Sequence, residues 1–186
     1  MSITRKNIAS HLVVCLGLLL TSSVHATSED GYESVNLTSR KLNGPRLGVS
    51  YVLNGKLPKV GDHHIGPYIS QFGWHFEWLV RPEGGGPAFV TQLTPFIGGV
   101  EHSILIPSLS LVLGIRLPFG TEFGMGPYLS TKFTAEEPIS PSLIIAAGQS
   151  INFSGVSIPL NIALSTSKSG QAVAFVFGYA LPSRKR

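Results

Sequence analysis

Four charged residues stand inside segments of the chain that are otherwise apolar at every second position: Arg46, Glu77, Arg116 and Glu122. A charge in such surroundings must find an opposite charge or several hydrogen bonds, because burying it unpaired is expensive. Arg116 and Glu122 flank Pro118-Phe119-Gly120 symmetrically, so a hairpin at that turn sets them opposite each other. With Gln92 and Tyr128 the two bases and two acids are suited to a satisfied ionic network. The same groups can instead be read as the charged constriction of a narrow pore. His75 can make the network pH-sensitive, although a hydrogen-bonded structural histidine is the reading we favour.

Two further groups invite a chemical reading. Asp62, His63 and His64 form one, and Glu101, His102 and Ser103 the other. Imidazole and carboxylate suit several metals, so Asp62, His63, His64 and His102 are weak candidate ligands, but the spacing is not diagnostic and we expect no metal or other cofactor. An acyl hydrolase or transferase needs a nucleophile oriented by a base, with a third group holding that base. Glu101, His102 and Ser103 are consecutive, and neighbours on a strand point apart, so they cannot form that constellation alone. The run Pro82 to Pro87, with three central glycines, lacks the Lys-Ser/Thr and helix of a phosphate loop and reads as a hairpin turn. We assign no catalytic residue.

The elements that position these residues are strands. The stretch FGWHFEWLV, residues 72 to 80, places Phe72, Trp74, Phe76, Trp78 and Val80 on one face and Gly73, His75, Glu77 and Leu79 on the other. Breaking the chain at Gly, Pro and charged clusters gives eight such segments: 46 to 54, 65 to 80, 88 to 101, 103 to 117, 120 to 133, 142 to 153, 155 to 166 and 171 to 181. In most of them one face is bulky and apolar while the other is Gly, Ser, Ala, Asn or Gln; Gln149 falls on the wrong face. No stretch has a convincing helical period.

A soluble barrel or sandwich puts its bulky face inside, whereas a membrane barrel puts it in lipid. A second face that met water would be rich in Lys, Glu and Asp. Here it is small and nearly uncharged, and only 13% of the 186 residues are charged, about half the usual fraction. We therefore expect an all-β fold, an eight-stranded antiparallel up-and-down transmembrane β-barrel over residues 45 to 182, with the four charges and His75 inside. Trp74, Trp78, Phe89, Phe123, Phe153 and Tyr179 would form an aromatic girdle near the periplasmic strand ends. Pro95, Pro107, Pro127 and Pro159 weigh on the other side, since each removes an amide from a sheet without free edges, and they require bulges or broken pairs.

Residues 1 to 26 combine Arg5 and Lys6, an apolar run from Leu12 to Leu20 and the exit Val24-His25-Ala26, the pattern of a secretory signal peptide cut after Ala26. The apolar run is too short for a spanning helix. The single cysteine, Cys15, lies inside it, so the processed chain would hold no disulfide. Removing Arg5 and Lys6 takes the net charge from +4 to +2, which leaves no basis for nucleic-acid binding. Residues 27 to 44 read as a polar N-terminal arm and 183 to 186 as a basic tail.

The strings GPRLGVSY (44 to 51), SQFGWHFEW (70 to 78), IPSLSLVLGIR (106 to 116), EFGMGPYLS (122 to 130) and SIPLNIAL (157 to 164) resemble a family of functionally uncharacterised bacterial outer-membrane barrels of the OmpA/OmpX type. That resemblance implies a bacterial outer-membrane location, reached through the signal peptide, and a monomer in contact with lipid and lipopolysaccharide after insertion by the barrel-assembly machinery. It brings no catalytic residues. Such barrels usually end on an aromatic residue, whereas here Phe177 and Tyr179 are followed by Ala-Leu-Pro-Ser-Arg-Lys-Arg. The function expected is a structural or accessory envelope role with a plugged lumen. The alternatives are a porin-like narrow pore, a lipid A-modifying acyl hydrolase or transferase, and a soluble periplasmic barrel around an apolar ligand.

Overall fold

Alternating apolar residues bounded by turn-forming ones become strands throughout. The computed structural model describes residues 36–55, 59–60, 63–64, 66–131, 139–154, 156–168 and 170–183. The barrel strands are β1 (Leu37–Gly55), β2 (Tyr68–Pro82), β3 (Ala88–Gly98), β4 (Ile106–Arg116), β5 (Thr121–Thr131), β6 (Ile139–Phe153), β7 (Val156–Ser167) and β8 (Gly170–Gly178). Each pairs antiparallel with the next, and β1 pairs back onto β8, which closes the sheet. A short strand, Leu181–Pro182, continues the line of β8 along β1. Between β1 and β2, Lys59–Val60 pairs with His63–His64, and between β3 and β4 lies one 3-10 turn, Val100–His102. Residues 1 to 26, expected to be a signal peptide, and the terminal Arg184-Lys185-Arg186 fall outside the described residues.

The side chains sort as the alternation requires. Leu47, Val49, Phe72, Trp74, Phe76, Leu113, Met125, Ile145, Ile162 and Phe175 are exposed, while Arg46, Ser50, His75, Glu77, Thr94, Ser110, Arg116 and Glu122 are buried. The barrel is thus inverted relative to a soluble one: its apolar face is outside. From Pro107 to Ile115 on β4 the outward residues are Pro107, Leu109, Leu111, Leu113 and Ile115.

Register fixes the width. A path along paired residues from Arg40 runs through Leu79, Val90, Gly114, Gly124, Ala146, Ala163 and Ala174 and returns to β1 at Ser50, ten residues above its start. Eight strands with that stagger tilt by about 40° and enclose a cylinder of backbone about 8 Å in radius. Such an interior holds side chains and little else.

One feature differs from the sequence reading, and a second decides between its alternatives. β1 begins at Leu37, so residues 37 to 44 belong to a strand and not to an arm; they pair with Gly44↔His75 through Leu37↔Pro82 on β2. Polar residues such as Ser39, Arg40 and Lys41 hide this strand, because there it extends past the level where its neighbours demand alternation. The prolines, in turn, break pairs without bulges. Pairing of β2 with β3 stops at Gly73↔Phe96 and resumes at Phe76↔Leu93, skipping Pro95. Pairing of β4 with β5 skips Pro127 in the same way, between Ser110↔Tyr128 and Leu113↔Met125. The register on both sides of each gap is identical, so each proline removes local bonds and shifts nothing. The one register shift in these ladders lies elsewhere, between Val52 and Asn54.

At the closing seam, a Cβ on Gly178 would collide with the Pro45 carbonyl and press on Arg46. Gly178→Val is expected to destabilise the barrel by about 1–3 kcal/mol through overpacking, read as a lower urea midpoint in detergent micelles, whereas Val176→Ala on the same strand should cost less.

Candidate functional site

Three of the four inward charges, Glu77, Arg116 and Glu122, meet in the lower half of the lumen. Arg116 ends β4 and Glu122 opens β5, paired across the turn as the sequence symmetry requires. Glu77 comes from β2. The Arg116 guanidinium donates from Nη1 to Glu77 Oε1 and from Nη2 to Glu77 Oε2, both at 2.7 Å. It also donates to Glu122 Oε2 from Nε at 2.9 Å and from Nη2 at 2.6 Å. One arginine therefore holds two carboxylates, the first through a planar fork, the geometry for which guanidinium is suited. Glu77 is 2% exposed, Arg116 5% and Glu122 6%, so the cluster is shielded from solvent.

Its surroundings extend the network. His75 Nε2 lies 3.3 Å from Glu77 Oε2 and Nδ1 lies 2.8 Å from Thr94 Oγ1. Because the Glu77 carboxylate only accepts, Nε2 is the ring nitrogen suited to donate, and in that tautomer Nδ1 is left to accept the threonine hydroxyl. Gln92 Nε2 donates a long bond, 3.4 Å, to Glu122 Oε2. Arg46 is buried but touches no carboxylate among the described residues; its Nη1 donates to the Tyr179 carbonyl at 3.1 Å and to the Pro45 carbonyl at 3.4 Å. The reason lies in the seam: Pro45 faces Tyr179 and has no amide to give it, so the arginine takes the carbonyl that the broken ladder leaves.

Tyr128 does not join the ionic cluster. It stands six residues further along β5 than Glu122, about 15 Å higher along the axis, and its hydroxyl bonds with Ser108 and Gln71. Gln71 in turn donates to Ser50 Oγ at 3.4 Å. This is a second, uncharged polar layer, lined by serines. Sequence parity places Tyr128 inside correctly but carries no information on height until the register is known.

Outside, Trp78, Phe89, Phe123, Phe153 and Tyr179 are exposed near one end of the barrel. Trp74 is exposed too, but four residues further up β2, about 10 Å above Trp78, which puts it in the apolar band. At the opposite end Tyr51 and Tyr68 stack at 4.9 Å, an aromatic pair that alternation alone does not single out. Gln149 does point outward, at the lower edge: its Oε1 accepts from Thr121 Oγ1 at 2.6 Å and its Nε2 donates to the Phe119 carbonyl at 2.8 Å, so its polarity is satisfied there.

At the upper rim Glu101 accepts from the Ser70 amide at 2.9 Å and from the Ser70 hydroxyl. Burial pushes the Glu101 carboxyl up, but the bonds from Ser70 outweigh it and hold the group below the ordinary carboxylate range. His102 Nε2 lies 3.1 Å from the Tyr68 carbonyl and 3.6 Å from Glu101 Oε1. The acid, not the imidazole, contacts the serine, so these residues tie the β3–β4 turn to β2. Ser103 sits in the left-handed conformation at the end of that turn. Asp62 and the side chains of His63 and His64 fall outside the described residues, and those described include no group of three or more His, Cys, Asp or Glu arranged to hold a metal.

No family model matches the chain, and no curated protein does. Among solved structures it is similar to Ail, the attachment invasion locus protein of Yersinia pestis, at 15% identity, TM-score 0.50, over 81% of this chain and 100% of that one. A second structure of Ail, in complex with the heparin analogue sucrose octasulfate, gives 15% identity, TM-score 0.49 and coverage of 78% and 97%. The fold is that of the small outer-membrane β-barrels. Within that barrel type, the Arg116 cluster is the part of the lumen where charge is concentrated.

Removing Arg116 strands two buried carboxylates. Arg116→Ala is expected to destabilise the barrel by about 3–5 kcal/mol, whereas the triple change Glu77→Gln, Arg116→Met, Glu122→Gln should recover most of that loss; chemical unfolding in micelles measures both.

Proposed function

We propose that this chain is a monomeric outer-membrane barrel with a structural or accessory role in the bacterial envelope, and that the Arg116 cluster plugs its lumen. The observation that carries the reading is the inverted surface: a belt of Leu, Ile, Val, Phe and Trp outside, with charges, serines and glycines inside. From Pro107 to Ile115 the belt spans eight residue steps, about 20 Å along the axis at the barrel's tilt, close to the ~25 Å apolar band of such barrels. Lower and upper aromatics, Trp78 with its neighbours and the Tyr51–Tyr68 pair, bracket it at the heights where aromatic side chains favour the lipid interface. A chain with this surface is soluble only if something covers the belt, and lipid with lipopolysaccharide is the cover its chemistry fits.

The plug reading rests on three supports. Eight strands with a stagger of ten leave a lumen that side chains fill. The two arginines and two glutamates balance in charge. A gap of about 10 Å³ beside Glu122 has room for about one water. A pore would need a continuous passage, and the fork of Arg116 on Glu77 crosses it. Insertion would depend on the barrel-assembly machinery.

Fractionation of expressing bacteria, followed by electrophoresis with and without boiling, tests location: the protein is expected in the outer-membrane fraction with a heat-dependent mobility shift, and recovery as a detergent-free soluble protein overturns the reading. In planar bilayers the intact barrel should show no stable conductance and the triple Gln/Met/Gln variant should remain closed, because it keeps the volume of the plug. Steady channels from the intact protein would favour the pore. On the outer face, Leu111→Arg at mid-belt is expected to cost about 2–4 kcal/mol in a bilayer, and a charge near the belt's edge far less; folding titrations into lipid vesicles separate the two.

A further inference from the structure

The Arg116 cluster leaves one carboxylate oxygen unused. Glu122 Oε2 takes three donors, from Arg116 Nε, Arg116 Nη2 and Gln92, while Glu122 Oε1 is buried and has no hydrogen-bond partner among the described residues. A second buried oxygen without a partner, Asn161 Oδ1, lies on the same side of the lumen. β6 runs between them, and the residue paired with both Glu122 and Asn161 is Gly148. Since a Cβ on Gly148 would clash with Asn161 Oδ1, the asparagine leans over this glycine, the residue that β6 sets beside Glu122. Both side chains line the same gap, together with Gln92, Gly124 and Ala146, and its volume is about 10 Å³.

We infer that this gap is a binding site for a single internal water molecule, bridging Glu122 Oε1 and Asn161 Oδ1. The chemistry of the two oxygens selects the occupant. Each can only accept, so whatever lies between them must donate twice or carry positive charge. Water satisfies both with its two protons and fits a space of this size. A monovalent cation would add a charge to a lumen in which the described arginines, Arg46 and Arg116, already balance Glu77 and Glu122, and two oxygens fall short of the coordination such an ion takes. Leaving a charged acceptor unsatisfied at 6% exposure is the costly alternative. The Gly148 position is thus what makes the site: it clears the room that brings the two acceptors together. The inference deepens the plug reading and rests on the lumen being closed at this level, but the water and the plug can fail separately.

A crystal structure of the full barrel in detergent, at a resolution that orders internal waters, decides it, with crystals grown once from a sodium buffer and once from a rubidium buffer. One peak within hydrogen-bond reach of both oxygens, without anomalous signal in rubidium, supports the water. An anomalous peak there overturns it in favour of a cation. Direct contact of the Asn161 amide with Glu122, with no peak between them, overturns it as well and shows that the two side chains satisfy each other. In Gly148→Ala the peak should be lost while the heat-dependent mobility shift remains; a retained peak contradicts the role given to the glycine. Conductance of the intact barrel, by contrast, bears on the plug alone.

Discussion

Ten residues of stagger around eight strands set the width of this barrel, and the width decides what its interior can be. A cylinder about 8 Å in backbone radius cannot hold large side chains from every inward position. The chain answers with glycine, alanine and serine across most of the inner face, so that a few positions have room for arginine, glutamate, glutamine, histidine and tyrosine. Gly124, Gly126, Gly148 and Gly178 each stand where an added Cβ would meet a backbone carbonyl or a lumen side chain. The ionic cluster and the glycines are one arrangement: the guanidinium of Arg116 reaches two strands because the residues between them do not fill the space.

The fold was legible because the physical signal is a simple one. Strict alternation gives strands, and the smallness of the second face tells which solvent the first one meets. Pairing across the Pro118-Phe119-Gly120 turn likewise follows from symmetry, so the Arg116–Glu122 contact could be read directly. What could not be read was which inward groups stand close enough to touch. Parity states that Glu77, His75, Arg46 and Tyr128 face inward, but only register shows that the first two reach the Arg116 cluster, that Arg46 turns to the seam, and that Tyr128 belongs to a separate layer. Asn161, Thr94 and Ser70 escaped notice for a related reason: each is an ordinary small polar residue whose role exists only through a partner distant in sequence. The strand from Leu37 to Gly44 was hidden because it runs past the belt, where alternation is no longer enforced.

The prolines show how a closed sheet tolerates missing amides. At Pro95 and Pro127 the ladder skips the affected pairs and resumes in the same register, so the stagger, and with it the radius, is untouched. Pro159 does the same toward β8, where pairing stops at Leu160↔Phe177 and returns at Ser157↔Ala180. A bulge at any of these points would have rotated every following side chain to the opposite face. Losing a bond or two locally is the smaller disturbance, since the alternative exposes lumen charges to the outside.

Pro45 goes one step further, because its gap is used. The β1–β8 seam is where the two ends of the sheet meet, and there Pro45 withholds an amide from the Tyr179 carbonyl while Gly44 and Gly178 let the backbones approach. Arg46, the next residue, points inward and donates to that same carbonyl. A buried guanidinium without a carboxylate beside it would ordinarily be a liability. Here its hydrogen bond replaces the one the proline removed, and its charge lies in the lumen with those of Glu77 and Glu122, so that a single dipeptide both breaks the ladder and repairs it from within.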